Sequence, residues 1–585
     1  MFLKDKNFNY FLSRKLTIKD NYFNILVFFI VFFYFLNSII FSKNIFDSHT
    51  FWIFDEAMQL LRGNNPYKEI AIMYGIGTPL INALGLIVFG KNLFSIILIN
   101  NIFFFSAIFF IFLICLKLKF DKISILILVL ILININPVLH LPWSNYLAYF
   151  PIVLSLYFIL DNKKTSYFFS GFFLALACLT REVLLLSAII IFFYVIFENT
   201  IKKKNFNILK FFILGFLFPL VIFLIYMFVS SNYLIWRELV YEWSKWQSLI
   251  NVGYYIKEDV STLRKFYIIF FAPYRELFLV FFKSIQHFWF NWLLIYLSYF
   301  FCILIVLARV FKNSYWKEDG LIKYKISIIS VYCLSLIIQN LHSVNMDRVS
   351  TGSIIGIIIL IYLVNKIILS SLVKFISYFL ILVLLFFYSH GIVSQLEEVG
   401  GKLNKLYSIS YAYLKNSVVF LTLNKQSNIF DKKPFVTEFR NMNYDASTHK
   451  FYDNISKICN ELRTKKGIQY SDNQTSRWEL NYFCKTTPKY YYIATMSESL
   501  ELNFKKSQLS KKSKSEISNT IQFYISDDLD LKETVYWDIR GFKKKRLIKN
   551  FHILYFVDLK KSYPSLYKHY NSRYFFITQS YKKAA

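Results

Sequence analysis

The sequence predicts a polytopic α-helical membrane protein with about 11 transmembrane helices, surface helices in its first outer loop, and a C-terminal α/β extracytoplasmic domain. Three observations predict it. Hydrophobic residues make up 56% of the 585-residue chain and aromatic residues 20%. Apolar runs, each too long or too uniformly apolar for an ordinary core helix, fill the first two thirds. From residue 394 the texture changes to Lys, Ser, Asn and Tyr, with no further spanning run. The chain thus divides into a membrane domain, 1–393, and an extracytoplasmic domain, 394–585, large enough for its own core.

Residues 22–42 are long enough to cross a bilayer, which needs about 20 apolar residues. The basic residues before them (Lys4, Lys6, Arg14, Lys15, Lys19) place the N-terminus in the cytoplasm by the positive-inside rule. Basic loops then order the runs 93–116, 122–139, 146–160, 165–179, 183–198, 207–230, 287–308, 325–341, 352–370 and 374–392. An odd number of crossings returns the C-terminal domain to the side of the first loop. The stretch 76–89 is short of the usual minimum of about 17 residues. Counting it would also push Lys117, Lys119 and Lys122 outside. It reads as a helix along the membrane surface, N-capped by Thr78 with Pro79 at its first position. The run 266–283, broken by Pro273, Arg275 and Glu276, reads as interfacial.

On this threading the ionisable residues near the apolar core gather on the outer face: Asp55, Glu56, Arg62, Glu69, His140, Arg181, Glu182, Arg237, Glu242, Arg275, Glu276, His342, Asp347 and Arg348. Such groups near bilayer depth mark substrate paths. A transporter would carry them, or broken helices, near the midplane. The formal charge of +31 would suggest nucleic acid in a soluble protein, but no recognition motif supports that. Loop topology accounts for much of it, and a basic surface fits anionic lipid or a lipid-linked phosphate.

The acid pair Asp55-Glu56 falls in the first outer loop, in HTFWIFDEAMQLLRGNNPYKEI. This segment begins behind the N-cap types Asp47-Ser48 and stops at Gly63. Phe51, Phe54, Met58 and Leu61 form a stripe at helical spacing. Asp55 lies beside the stripe, while Glu56 is turned about 100° away. An acid held against apolar surface has its pKa raised and becomes a usable general base, leaving Glu56 to bind sugar or acceptor hydroxyls. The plainer alternative is a solvated helix face favoured by the helix dipole.

The loop resembles the C-type glycosyltransferases, membrane enzymes that take sugar from a polyprenyl-phosphate carrier, in particular the protein O-mannosyltransferases and the lipid A aminoarabinose transferases. The residues that carry the resemblance are Asp55-Glu56, Arg62-Gly63, Pro66-Tyr67 and Tyr74-Gly75-Ile76-Gly77-Thr78-Pro79-Leu80. The segment 171–186, ending its Gly-containing half in Arg181, and the late loop 342–352, with His342 and Arg348, are similar to the family's carrier-phosphate segments. Glu69 departs from the family, where Asp is usual. The resemblance implies direct, inverting displacement at the anomeric carbon at the outer face of a bacterial inner membrane. Asp55 and Glu56 would be catalytic; Arg181, Arg348, His342 and Arg62 would bind the carrier phosphate; Tyr67, Glu69 and Tyr74 would bind substrate. Neither metal nor cofactor is required, and the partners are the lipid-linked donor and a lipid, glycan or protein acceptor. For Arg181 a snorkelling topological charge, and for Arg348 an ion pair with Asp347, are about equally good accounts. His342 and His140 read better as interfacial hydrogen-bonders. A ligase or polymerase using a pyrophosphate carrier, relying on Arg and His, and a lipid-linked sugar flippase are the other classes to distinguish.

In WRELVYEWSKWQSL, Trp243 and its neighbours could line a sugar site or simply mark the interface. Cys115, Cys178, Cys302 and Cys333 lie in apolar runs and read as small buried hydrophobes, whereas Cys459 and Cys484 could pair in an exported domain. That domain reads as helix 451–466, strand GIQYS, helix TSRWELNYFC and strand KYYYIAT, followed by strands IQFYIS, TVYWDI and HILYFVDL.

Overall fold

The computed structural model describes residues 18–42, 48–67, 70, 72, 74–135, 144–161, 163–202, 206–234, 236–237, 293–311, 320–341, 346–367, 371–396, 446–463, 468–471, 520–526, 538–539, 542–543, 551–564, 566–567 and 573–580. Helix α1 (Ile18–Ser42) leads to the two helices of the first loop, α2 (Ser48–Leu61) and α3 (Gly77–Phe89). There follow α4 (Leu93–Lys117), α5 (Lys122–Ile135), α6 (Ser144–Ile159), α7 (Lys164–Thr180), α8 (Leu184–Ile196) and α9 (Phe206–Val229). The series ends with α10 (Leu293–Val310), α11 (Gly320–Ser335), α12 (Met346–Ile367) and α13 (Ser371–Leu396). A π-helical turn (Phe197–Lys202) prolongs α8 and a 3-10 turn (Leu336–Leu341) prolongs α11.

Every run read as a span is helical in its described residues. Among the described residues, Leu93–Lys117, Ile208–Val229, Leu293–Val310 and Gly320–Gln339 are long and apolar enough to cross a membrane. Their outward faces are apolar too: α9 exposes Leu214, Phe218, Val221, Ile222, Ile225 and Phe228. A continuous exposed apolar face of that size is unfavourable in water and natural in lipid. This is a multi-pass membrane protein.

Small residues and buried hydroxyls hold the helices together, as expected where lipid removes the hydrophobic drive between them. A Cβ on Gly171 of α7 would strike the Phe212 carbonyl of α9, and one on Gly215 would strike that of Phe168. The close α7–α9 crossing depends on both glycines. The Ser155 and Tyr332 hydroxyls are 2.6 Å apart, and Ser187 donates to the Ser335 carbonyl at 2.8 Å. Cys115, Cys178, Cys302 and Cys333 are free and buried among these helices.

At the basic end of the bundle, Glu198 sits fully buried in the π-helical turn. Arg309 of α10 grips it with two bonds, Nε to Oε1 at 2.7 Å and Nη2 to Oε2 at 2.8 Å, and Tyr194 adds a third at 3.1 Å.

The polar region contributes α14 (Ala446–Arg463) and a six-stranded sheet of β1 (Ile468–Ser471), β2 (Thr520–Ser526), β3 (Asp538–Ile539), β4 (Phe542–Lys543), β5 (Phe551–Asp558) and β6 (Tyr574–Ser580). The strand order is β1-β2-β6-β5-β4-β3, with β1 parallel to β2 and the other pairs antiparallel. Strand β6, not foreseen in the sequence reading, is central to the sheet although YFFITQS has the aromatic and β-branched content of a strand. The expected helix TSRWELNYFC, the strand KYYYIAT, most of TVYWDI and the interfacial run 266–283 lie outside the described residues. Phe451, Tyr452 and Ile455 of α14 and Phe575 of β6 join Phe51 and Phe54 of α2 in one apolar cluster. The C-terminal elements therefore sit at the same end of the bundle as the first loop.

Two local readings are resolved. The solvated face that was the alternative reading of α2 is not found among its described side chains: every one from Thr50 to Gln59 is buried, Glu56 included, and the apolar face shares a core with the C-terminal elements. Thr78 is not the cap of α3: the helix begins at Gly77, and the Thr78 hydroxyl instead donates to the Thr180 carbonyl at 2.8 Å. A tertiary bond across the loop has taken the side chain that the local cap would have used.

Candidate functional site

Helix α2 presents the acid pair. It stops where Gly63, at φ 82°, adopts the left-handed conformation that glycine enters without strain. Asp55 and Glu56 are only 7% and 3% exposed. Burial between Phe54 and Met58 raises the Asp55 pKa to about 6, against the lesser opposing pull of a Gln59 hydrogen bond and the Arg62 charge. Gln59 Nε2 donates to Asp55 Oδ1 at 3.3 Å, and the Gln59 amide is turned that way because Asn64 donates to its Oε1. Arg62 is exposed at the helix end and acts on Asp55 through its charge alone. The acid is thus oriented by neutral amides and is poised to exchange a proton near neutrality.

Downstream, the loop is pressed against the break between α7 and α8. A Cβ on Gly75 would meet the Leu179 carbonyl, and one on Gly77 would meet Thr180, so both glycines are there for close backbone approach. The Glu182 amide donates to the Tyr74 carbonyl at 3.1 Å. This docking fixes Arg181, whose extended backbone ends α7. The guanidinium is 6% exposed, donates to Ser144 Oγ at 3.2 Å and lies 5.7 Å from the Tyr74 ring centroid. Planar, permanently charged and buried at the break between α7 and α8 rather than reaching along lipid, Arg181 does not have the setting of a snorkelling topological charge.

Glu182 turns into an aromatic box. Tyr67 donates its hydroxyl to Oε1 at 3.3 Å, and Trp236 donates its indole N–H to the same oxygen at 3.0 Å. Burial raises the Glu182 pKa to about 7, with those two bonds acting the other way. Tyr67 has φ 65°, a strained conformation for a bulky side chain. It is held there by its neighbours: Asn232 donates to the Pro66 carbonyl at 2.9 Å and to Asn65 Oδ1.

The structure therefore joins Tyr67, Tyr74, Arg181 and Glu182 in one docked unit. That unit and α2 share the apolar cluster containing Phe51, Phe54, Tyr67 and Ile76. Arg348 stands in the first turn of α12, and its side chain lies outside those described. Glu69, Trp243, His140, His342 and Cys484 lie outside the described residues, as does the side chain of Cys459 in α14. Gln59, Ser144 and Trp236 were not singled out from the sequence. The aromatic spacing that pointed to Trp243 begins at Trp236 and could have found it. No His/Cys/Asp/Glu group suited to a metal occurs among the described residues.

The fold and this site define a multi-pass helical membrane protein with buried acids and an arginine gathered at one end. No family model and no curated protein matches the chain. Among solved structures it is similar to ArnT of Cupriavidus metallidurans in the apo state. Identity is 10%, the match covers 88% of this chain and 96% of that one, and the TM-score is 0.44. So loose a likeness transfers no chemistry, and the functional reading rests on the residues.

Proposed function

We propose that this protein is a membrane glycosyltransferase that moves a sugar from a polyprenyl-phosphate carrier to an acceptor hydroxyl at the outer face of the membrane. The observation that carries the reading is Asp55, buried on α2 with neutral amide partners and a pKa of about 6. The acceptor oxygen attacks the anomeric carbon as Asp55 takes its proton; the bond from that carbon to the phosphate oxygen breaks, inverting the centre and releasing polyprenyl phosphate. Phosphate is a competent leaving group once its charge is held, which a guanidinium does by charge-assisted bonds. Arg181 takes that role, with Arg348 as a second cation. Glu56 positions the acceptor or sugar. The 394–585 region covers α2 through the shared cluster and helps select the acceptor.

The test is full-length protein in nanodiscs with a panel of polyprenyl-phosphate sugars and a membrane extract as acceptor source, followed by released polyprenyl phosphate. Release that climbs as pH rises through about 6 is expected, because Asp55 must be ionised to act. Turnover of pyrophosphate-linked sugars alone would favour a ligase or polymerase, and translocation without release would favour a flippase.

A further inference from the structure

We infer that Glu182, with Tyr67 and Trp236, forms a recognition subsite for the hydroxyls of the transferred sugar, beside the arginine assigned to its phosphate. The inference rests on the transferase reading and extends it to a residue that the acid-pair chemistry leaves unused.

The geometry is that of a carboxylate held half-ready. Tyr67 and Trp236 both bond to Oε1, leaving Oε2 with no partner among the described residues. No basic group among them pairs with Glu182 either. A carboxylate in a structural ion pair would have its guanidinium, as Glu198 has Arg309. Here the donors are neutral, so the second oxygen is kept for something that enters.

The walls specify what enters. The Trp236 ring packs edge-on to Phe223 at 5.4 Å and lies 6.0 Å from Tyr233, while Tyr67 meets Phe223 at 6.5 Å. Rigid aromatic faces with one oriented acceptor suit a polyhydroxylated ring, whose C–H face lies on the aromatics while a hydroxyl reaches the acid. Because burial favours the protonated acid near neutrality, Oε2 can accept from or donate to a hydroxyl, which suits a neutral sugar. Arg181 and Glu182 are consecutive, so phosphate and first sugar ring would be read from one backbone segment, clamped by the Glu182 amide bond to Tyr74. The strain at Tyr67 fits the same purpose: it aims the phenol at the acid.

The experiment is equilibrium binding to full-length protein in nanodiscs, using farnesyl-phosphate-linked neutral sugars and free farnesyl phosphate as probes. Glu182→Gln, which keeps the shape, should weaken sugar-bearing probes by about 2- to 10-fold, the range for losing a hydrogen bond between neutral groups, and leave free farnesyl phosphate unchanged. Trp236→Phe, which removes only the orienting donor, should move the same probes in the same direction by less. Equal weakening of both probe classes, or no weakening of either, overturns the inference. Wild-type protein that holds free farnesyl phosphate as tightly as every sugar-bearing probe overturns it while leaving the phosphate role of Arg181 standing. Wild-type protein that binds neither overturns the transferase reading and this inference together.

Discussion

Glu198 at the basic end of the bundle and Asp55 at the first-loop end are both buried acids, but they keep very different company. Glu198 is gripped by both arms of Arg309 and by Tyr194, so every demand of its charge is met from within the protein. Asp55 has one long amide bond and a distant exposed arginine. Glu182, also at the first-loop end, has two neutral donors on one oxygen. A buried acid with its own guanidinium locks helices together; a buried acid without one is held in a state that chemistry can use. The two ends of the bundle thus treat a buried acid in opposite ways.

Substitutions can break or sharpen that contrast. Asp55→Asn should have the largest effect, lowering turnover by about 10²- to 10⁴-fold with folding intact, as read by polyprenyl-phosphate release and gel-filtration profile. Arg309→Met should cost about 3–5 kcal/mol of stability by leaving Glu198 buried without its cation, read by thermal unfolding in detergent, while the rate per folded molecule stays near wild type. Pairing it with Glu198→Leu should recover most of the loss. Arg181→Ala should slow release by about 10²- to 10³-fold, and Arg181→Lys should restore only part, since a point charge lacks the planar fork. The mildest perturbation is acid: below pH of about 6, where Asp55 becomes protonated, the rate should fall about tenfold per pH unit in buffered single-turnover assays.

The helical bundle was legible in the sequence because uniform apolar runs leave little else to form, and all the runs read as spans are helices in their described residues. The first loop was legible in outline: Gly63 stops α2, and the short run at 77–89 is a helix of its own. What remained hidden depended on contacts distant in sequence. Nothing near Phe51 or Phe54 announces that their apolar cluster would take in α14 and the sheet. Thr78 has the residue type of a cap, and only the arrival of Thr180 explains why it serves elsewhere. Glu182 was visible as one of many outer-face charges; its distinction comes from Trp236 and Tyr67, 54 and 115 residues away in sequence.

The most direct measurement compares wild type, Asp55→Asn and Glu198→Gln side by side in nanodiscs, scoring polyprenyl-phosphate release per folded molecule. If Asp55 is the working acid, wild type and Glu198→Gln release polyprenyl phosphate and Asp55→Asn releases almost none. Release by Asp55→Asn at the wild-type rate, with Glu198→Gln folded and silent, would contradict it and move the working acid to the other end of the bundle.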